Sequence, residues 1–254
     1  MQVSQPAPWL DILGCRVHRV DMPTTLKIIN QFILEKHPRH VITLNAEIIY
    51  TALQNHELQQ VINQADLVTP DGAGVVWASR FLGCPLPERV TGIDLMVALS
   101  RMASEKGWRV FLLGARPGVA QKAANNLETS FPGLQVVGTH HGYFAEYETE
   151  AVLTAIRKKQ PDLLFVALGA PYQEFWIRRY LTGWEVPVAI GVGGSLDVLA
   201  GEVARAPDIF IRLNLEWLYR LFQDPRRWRR QLALPRFVFQ VFRQKYRQAE
   251  SRRY

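Results

Sequence analysis

Runs of β-branched and aliphatic residues recur at 41–45, 67–70, 109–114, 134–138, 163–169 and 188–191, separated by longer segments whose apolar residues return every third or fourth position. The runs are strand-sized. Five of the six lack polar alternation and so predict strands buried on both faces of a sheet, whereas 134–138 (LQVVG) is interrupted by Gln135. The amphipathic segments 24–36, 92–106, 119–131, 147–160 and 172–181 predict helices, several punctuated at their ends by Gly or Pro, with a further helix over 73–81. This alternation predicts an α/β fold: a Rossmann-like, doubly wound, mostly parallel sheet. Beyond Arg205-Ala206-Pro207 the pattern changes to three helices at 208–222, 226–234 and 236–248, broken by Asp224-Pro225 and by Pro235. Two units follow, a core over 1–204 and a C-terminal helical appendage over 205–254.

Charge separates the same two units. Residues 205–254 hold thirteen Arg or Lys against four Asp or Glu, while residues 1–204 hold 17 against 19. The positive excess is therefore confined to the appendage, where Trp217, Leu218, Leu221, Trp228, Leu232, Phe237, Phe239, Val241 and Phe242 are threaded among the basic residues. Basic charge mixed with aromatic and aliphatic side chains suits an anionic phospholipid surface. Nucleic acid is the competing partner, and simple packing on the core is the plainer role for these helices. A hydrophobic content of 48% with 21% charged residues excludes general disorder. No apolar run approaches the roughly 20 residues that cross a bilayer. Cys15 and Cys84 make neither a disulfide framework nor a metal spacing, and residues 1–10 lack the pattern of a secretory signal, so a reducing cytosolic setting is expected.

In a parallel sheet ligands gather at the carboxyl ends of the strands. The segments there are polar or glycine-rich: TLNAE (43–47), TPDGAG (69–74), GARPG (114–118), GAPYQE (169–174) and GVGGSLD (191–197). Such turns let backbone N–H groups approach a phosphate, although tight βα turns also need glycine for conformation alone. None is a Walker loop or a full dinucleotide fingerprint. Together they predict a nucleotide or nucleotide-sugar site. Asp71, between Pro70 and Gly72, is the residue best suited to chemistry. It reads equally as an N-cap of the helix over 73–81 and as a carboxylate general base.

The strings TLNAE, TPDGAGVVW (69–77), RVTGIDL (89–95), LLGARPGVA (112–120), GAPYQEFW (169–176), GVGGSLDVLAGEVARAP (191–207) and LEWLYRLFQDPRRWRR (215–230) run in order over almost the whole chain. In that order they resemble the WecG/TagA/CpsF glycosyltransferases, glycosyltransferase family 26. The resemblance implies a Rossmann-like core with a C-terminal helical appendage. It also implies inverting transfer of an N-acetylmannosamine-type sugar from a UDP-sugar to a polyprenyl-diphosphate-linked sugar, at the cytoplasmic face of the membrane, in cell-surface polysaccharide or teichoic-acid-like assembly. Asp71 would be the catalytic base. Thr43, Asn45 and Gln173 would position the donor sugar, Arg89 its diphosphate, Tyr143 the uracil and Asp197 the nucleoside. Arg220, Arg227 and Arg230 would grip the acceptor diphosphate. Without the resemblance, Arg89, Tyr143 and Asp197 read as a surface ion pair, a core aromatic and another N-cap.

No cofactor or metal is expected, since there is no D-x-D string and the six histidines form no ligand pattern. The expected partners are the two substrates and an anionic membrane surface, with no nucleic acid; a homo-oligomer remains open. Leu196 stands where the family often has an aromatic residue and Asn214 where it often has Gly, which leaves the donor sugar less determined than the reaction. Two other readings are a Rossmann-like nucleotide-binding regulator or dehydrogenase and an RNA-binding protein using the Arg-rich tail; nucleotide or RNA binding without UDP release separates them.

Overall fold

A computed structural model describes residues 7–183, 185–213, 215–223, 228 and 232–251. The chain begins with a hairpin, β1 (Trp9–Ile12) and β2 (Cys15–His18), joined by Leu13 and Gly14 at φ 55° and 83°. Two positive-φ residues make the tight turn whose twist suits a hairpin. Then follow α1 (Met22–Glu35), β3 (Arg39–Leu44), α2 (Ala46–Ala52), α3 (His56–Gln64), β4 (Leu67–Pro70), α4 (Ala73–Phe81) and α5 (Gly92–Lys106). Next come β5 (Arg109–Gly114), α6 (Val119–Ser130), β6 (Gln135–His140), α7 (Thr149–Lys159), β7 (Leu163–Ala167), α8 (Tyr172–Tyr180), β8 (Val188–Gly191) and α9 (Ser195–Leu199). The appendage supplies α10 (Asp208–Arg212), α11 (Glu216–Gln223) and α12 (Ala233–Ser251).

Strands β3 to β8 form one sheet in the order β4-β3-β8-β7-β5-β6, with every pairing parallel. Successive strand residues feed opposite faces. Val41, Val110, Leu163 and Ile190 join one apolar cluster, while Ile42, Phe111, Leu164 and Ala189 join the clusters on the other side. That burial on both faces is why the runs lack polar alternation. β6, the run broken by Gln135, is the half-exposed edge strand. The hairpin and the seven-residue helix α2 carry too few residues for a periodic signal, whereas α3, as long as α4, buries Leu58, Val61 and Ile62 on one face and is absent from the sequence reading. Asn45 and Asn55 nevertheless cap those two helices, accepting from Ile48 N and Leu58 N.

The appendage differs from expectation in three ways. Residues 208–222 form two helices rather than one. Pro235 does not separate helices but sits in the first turn of α12, where a missing N–H costs no helical hydrogen bond. Phe237 and Val241 are not interfacial: both are fully buried with Ile42, Leu44, Ile48 and Val75, where α12 packs against α2 and α4. Gln244 also ties α12 to the hairpin, accepting from Leu13 N at 3.0 Å and donating to Asp11 O at 3.2 Å. The expected helix over 226–234 lies largely outside the described residues. Phe239 and Tyr246, in contrast, stay exposed on the outer face of α12.

Phe237→Ala should therefore lower the unfolding free energy by about 3–5 kcal/mol, because it empties a ring-sized space in the core. Phe239→Ala should change it by less than about 0.5 kcal/mol; urea unfolding of the two variants checks the contrast.

Candidate functional site

The carboxyl ends of β3, β4, β7 and β8 surround a cavity of about 690 Å³, and the appendage covers it. After β3 the chain turns to β4 on one side, while the last strand, β8, enters on the other. The turns diverge there and leave a crevice. Thr43 fixes its floor, donating from Oγ1 to Gly191 O at 2.9 Å and so tying β3 to β8. Asn45 lines the cavity while serving as the cap of α2, accepting from Ile48 N at 3.0 Å.

Asp71 directly follows β4, and its backbone N–H donates to Leu44 O at 2.8 Å. The cap of α4 is Gly72 at φ 104°, with no side-chain hydrogen bond. The capping role open to Asp71 in the sequence is thus not the one it has. Instead Asp71 Oδ2 accepts from Gly92 N, at the start of α5, at 3.3 Å. Gly92 also lies tight against the strand ends: an added Cβ would meet Thr43 Oγ1 at 3.4 Å and Val192 O at 3.5 Å.

Arg89 lines the cavity and pairs with Glu216 of α11 at 3.6 Å, the two side chains being 16% and 13% exposed. It is a largely buried ion pair between core and appendage, not a surface one. Trp217, Leu234, Phe237 and Val238 complete the appendage's side of the wall. Gln173 closes the β8 side: its Oε1 accepts from Gly193 N at 3.1 Å and its Nε2 donates to Glu174 Oε1 at 2.8 Å. Burial pushes the Glu174 carboxyl up to about 7.

Five of the expected residues, Thr43, Asn45, Asp71, Arg89 and Gln173, thus converge on one cavity. Tyr143 and Asp197 do not line it. Tyr143 follows the edge strand β6 and is 70% exposed, so it is no core aromatic, and Asp197 lies on α9, whose cap is Gly194 with no side-chain bond. Arg220 stands on α11 one turn after Glu216, and Arg227 and Arg230 fall outside the described residues. The sequence reading missed Glu174 and the covering residues Glu216, Leu234 and Val238, and it gave Trp217 to an interfacial face whereas Trp217 lines the cavity. The four-residue spacing of Phe237 and Val241, a buried helical stripe, was the available signal. Among the described residues no three His, Cys, Asp or Glu side chains are grouped to hold a metal ion.

The sequence matches the glycosyl transferase WecG/TagA/CpsF family over residues 10–251. It is 42% identical over 203 residues, 80% of this chain and 78% of the relative, to an N-acetylglucosaminyldiphosphoundecaprenol N-acetyl-β-D-mannosaminyltransferase of Bacillus spizizenii. It is 37% identical to a Staphylococcus aureus protein of the same name over 238 residues, 93% of each chain.

The packing behind the cavity wall is directly testable. A Cβ on Gly191 would stand 2.7 Å from Gln173 Nε2 and 3.2 Å from Glu174 Oε1. Gly191→Ala should therefore cost about 1–3 kcal/mol of stability as an overpacked site, measured by urea unfolding.

Proposed function

The chain belongs to the WecG/TagA/CpsF family of glycosyl transferases, and from that premise we propose that it moves an N-acetyl-β-D-mannosaminyl group from a UDP-sugar to an N-acetylglucosaminyl-diphosphopolyprenol, with inversion. The observation that carries this reading is the convergence of Asp71, Arg89, Thr43, Asn45 and Gln173 on one covered cavity at the carboxyl edge of the sheet. Asp71, oriented by Gly92 N–H, takes the proton of the attacking acceptor hydroxyl. The acceptor oxygen bonds to the anomeric carbon from one face as the bond to the UDP oxygen breaks on the other, its electron pair leaving with UDP. Arg89 meets the diphosphate in place of Glu216 and stabilises the charge that develops on it. Thr43, Asn45 and Gln173 orient the sugar. Tyr143 and Asp197 serve the nucleoside beyond the cavity, while Arg220, Arg227 and Arg230 hold the acceptor diphosphate. Trp217, Phe237 and Val238 keep water from the reacting carbon.

No metal takes part in this scheme, because Arg89 and the appendage arginines supply the positive charge. The enzyme then works peripherally on the cytoplasmic membrane face. No helix among the described residues is long and apolar enough to cross a membrane. Phe239, Phe242 and Tyr246 share the exposed face of α12 with Arg236 and Arg243, a mixture suited to a headgroup layer.

Asp71→Asn should retain UDP binding and the native melting temperature while lowering turnover by roughly 10²-fold or more. Chelator should leave native turnover intact. Near-normal turnover in the variant, or complete loss with chelator restored by magnesium, would refute the corresponding part of the scheme. Native protein should co-sediment with anionic vesicles, less so as salt rises. Replacing Phe239 and Tyr246 together by Glu should release it without lowering stability, and retention of that double variant on vesicles would show that another surface docks.

A further inference from the structure

Glu174, in the first turn of α8, is fully buried behind the cavity wall and plays no part in the chemistry above. Its Oε1 accepts from Gln173 Nε2 at 2.8 Å, and its Oε2 has no hydrogen-bond partner among the described residues. The far end of the same amide is engaged as well, since Gln173 Oε1 accepts from Gly193 N at 3.1 Å. An amide can be turned end for end at almost no steric cost, so its neighbours decide which end donates. Gly193 N–H requires an oxygen, and the Glu174 oxygen requires an N–H. Gly191 lets the three groups pack this closely, and Gln173 itself faces the cavity.

We propose that Glu174 is a positioning residue for donor recognition, holding the Gln173 amide so that its second Nε2 hydrogen and its Oε1 are presented to the sugar nucleotide in a fixed order. The inference rests on the cavity being a sugar-nucleotide site. It also makes the site sensitive to pH. The carboxyl is raised to about 7 by burial, against the opposing pull of Gln173 and its own backbone N–H. Around it, β7 and β8 carry no titratable side chain and α3 carries His56 and Glu57. On β3, Arg39 pairs with Glu35 and Asp66, while burial and Arg178 hold His40 down at about 3, so it is neutral. The remaining nearby charges, Arg178 and Arg179, are on α8 itself, where Arg178 donates to Gln64 and Arg179 pairs with Glu146. With the carboxyl raised toward neutrality, a rise in pH places an anion behind the Gln173 wall of a cavity that takes up an anionic donor, and donor affinity falls.

Calorimetric UDP binding and steady-state kinetics on the full chain test this. Native affinity should weaken roughly tenfold from about pH 6 to about pH 8.5. Glu174→Gln keeps an acceptor for Gln173 without the charge, so it should match the native protein at about pH 6 within about twofold and change much less with pH; ionisation of UDP is common to both. Glu174→Ala and Gln173→Ala should each lower kcat/KM by roughly tenfold, and the double variant should be no worse than Gln173→Ala alone. A Glu174→Gln profile that follows the native one, or additive effects in the double variant, overturns the proposal alone. Native protein that binds no UDP at any pH overturns the reading of the cavity first, and the proposal with it.

Discussion

Parallel pairing of β3 with both β4 and β8 is the constraint on which the rest of the molecule depends. Strands that all run one way deliver every strand-to-helix turn to a single edge, and a reversal in strand order opens a crevice among those turns. Thr43 Oγ1 bonded to Gly191 O ties the two strands at that point. From this register follow the positions of Asp71, one residue past β4, and of Gln173, at the start of the helix after β7. Asn45 and Asp71 are each the first residue beyond a strand, so their places are set by backbone pairing.

The sheet was legible because its strands are buried on both faces and its helices on one, which are the two conditions that leave a periodic trace in sequence. Where those conditions fail, so does the trace. The four-residue strands of the hairpin are too short, and α2 announces itself only through Asn45, while α3 adds to Asn55 the short stripe Leu58, Val61 and Ile62. Pro235 misled in the opposite direction, because a proline that breaks a helix interior is harmless in a first turn. In the site, Thr43, Asn45, Asp71, Arg89 and Gln173 could be assembled because they follow strands or belong to an ordered set of motifs. The pairing of Glu216 with Arg89 and the return of Phe237 to the crevice could not be, since a motif and a helical stripe show that residues so far along the chain matter or are buried but not where they pack.

Single residues here serve structure and site together. Asn45 caps a helix while lining the cavity, and Phe237 fills the core between α2 and α4 with one edge on the same cavity. The division into a core over 1–204 and a separate appendage is therefore drawn through shared packing, because α12 completes an apolar cluster that β3 and β4 begin. Stability measured on this chain and the shape of its site are coupled quantities.

The Arg89–Glu216 pair gives the cavity an occupant of its own. An anion that takes the guanidinium in place of Glu216 competes with a tethered carboxylate, whose effective concentration is set by the chain and not by the solution. Its affinity is then a difference between two ion pairs, the intrinsic binding constant reduced by whatever fraction of molecules keeps Arg89 on Glu216. A singly charged competitor exchanges one weak partner for another and gains little, whereas a diphosphate brings several oxygens to one guanidinium fork. An internal carboxylate that resembles the ligand only in charge thus acts as a filter, one that admits ligands by how far they exceed it.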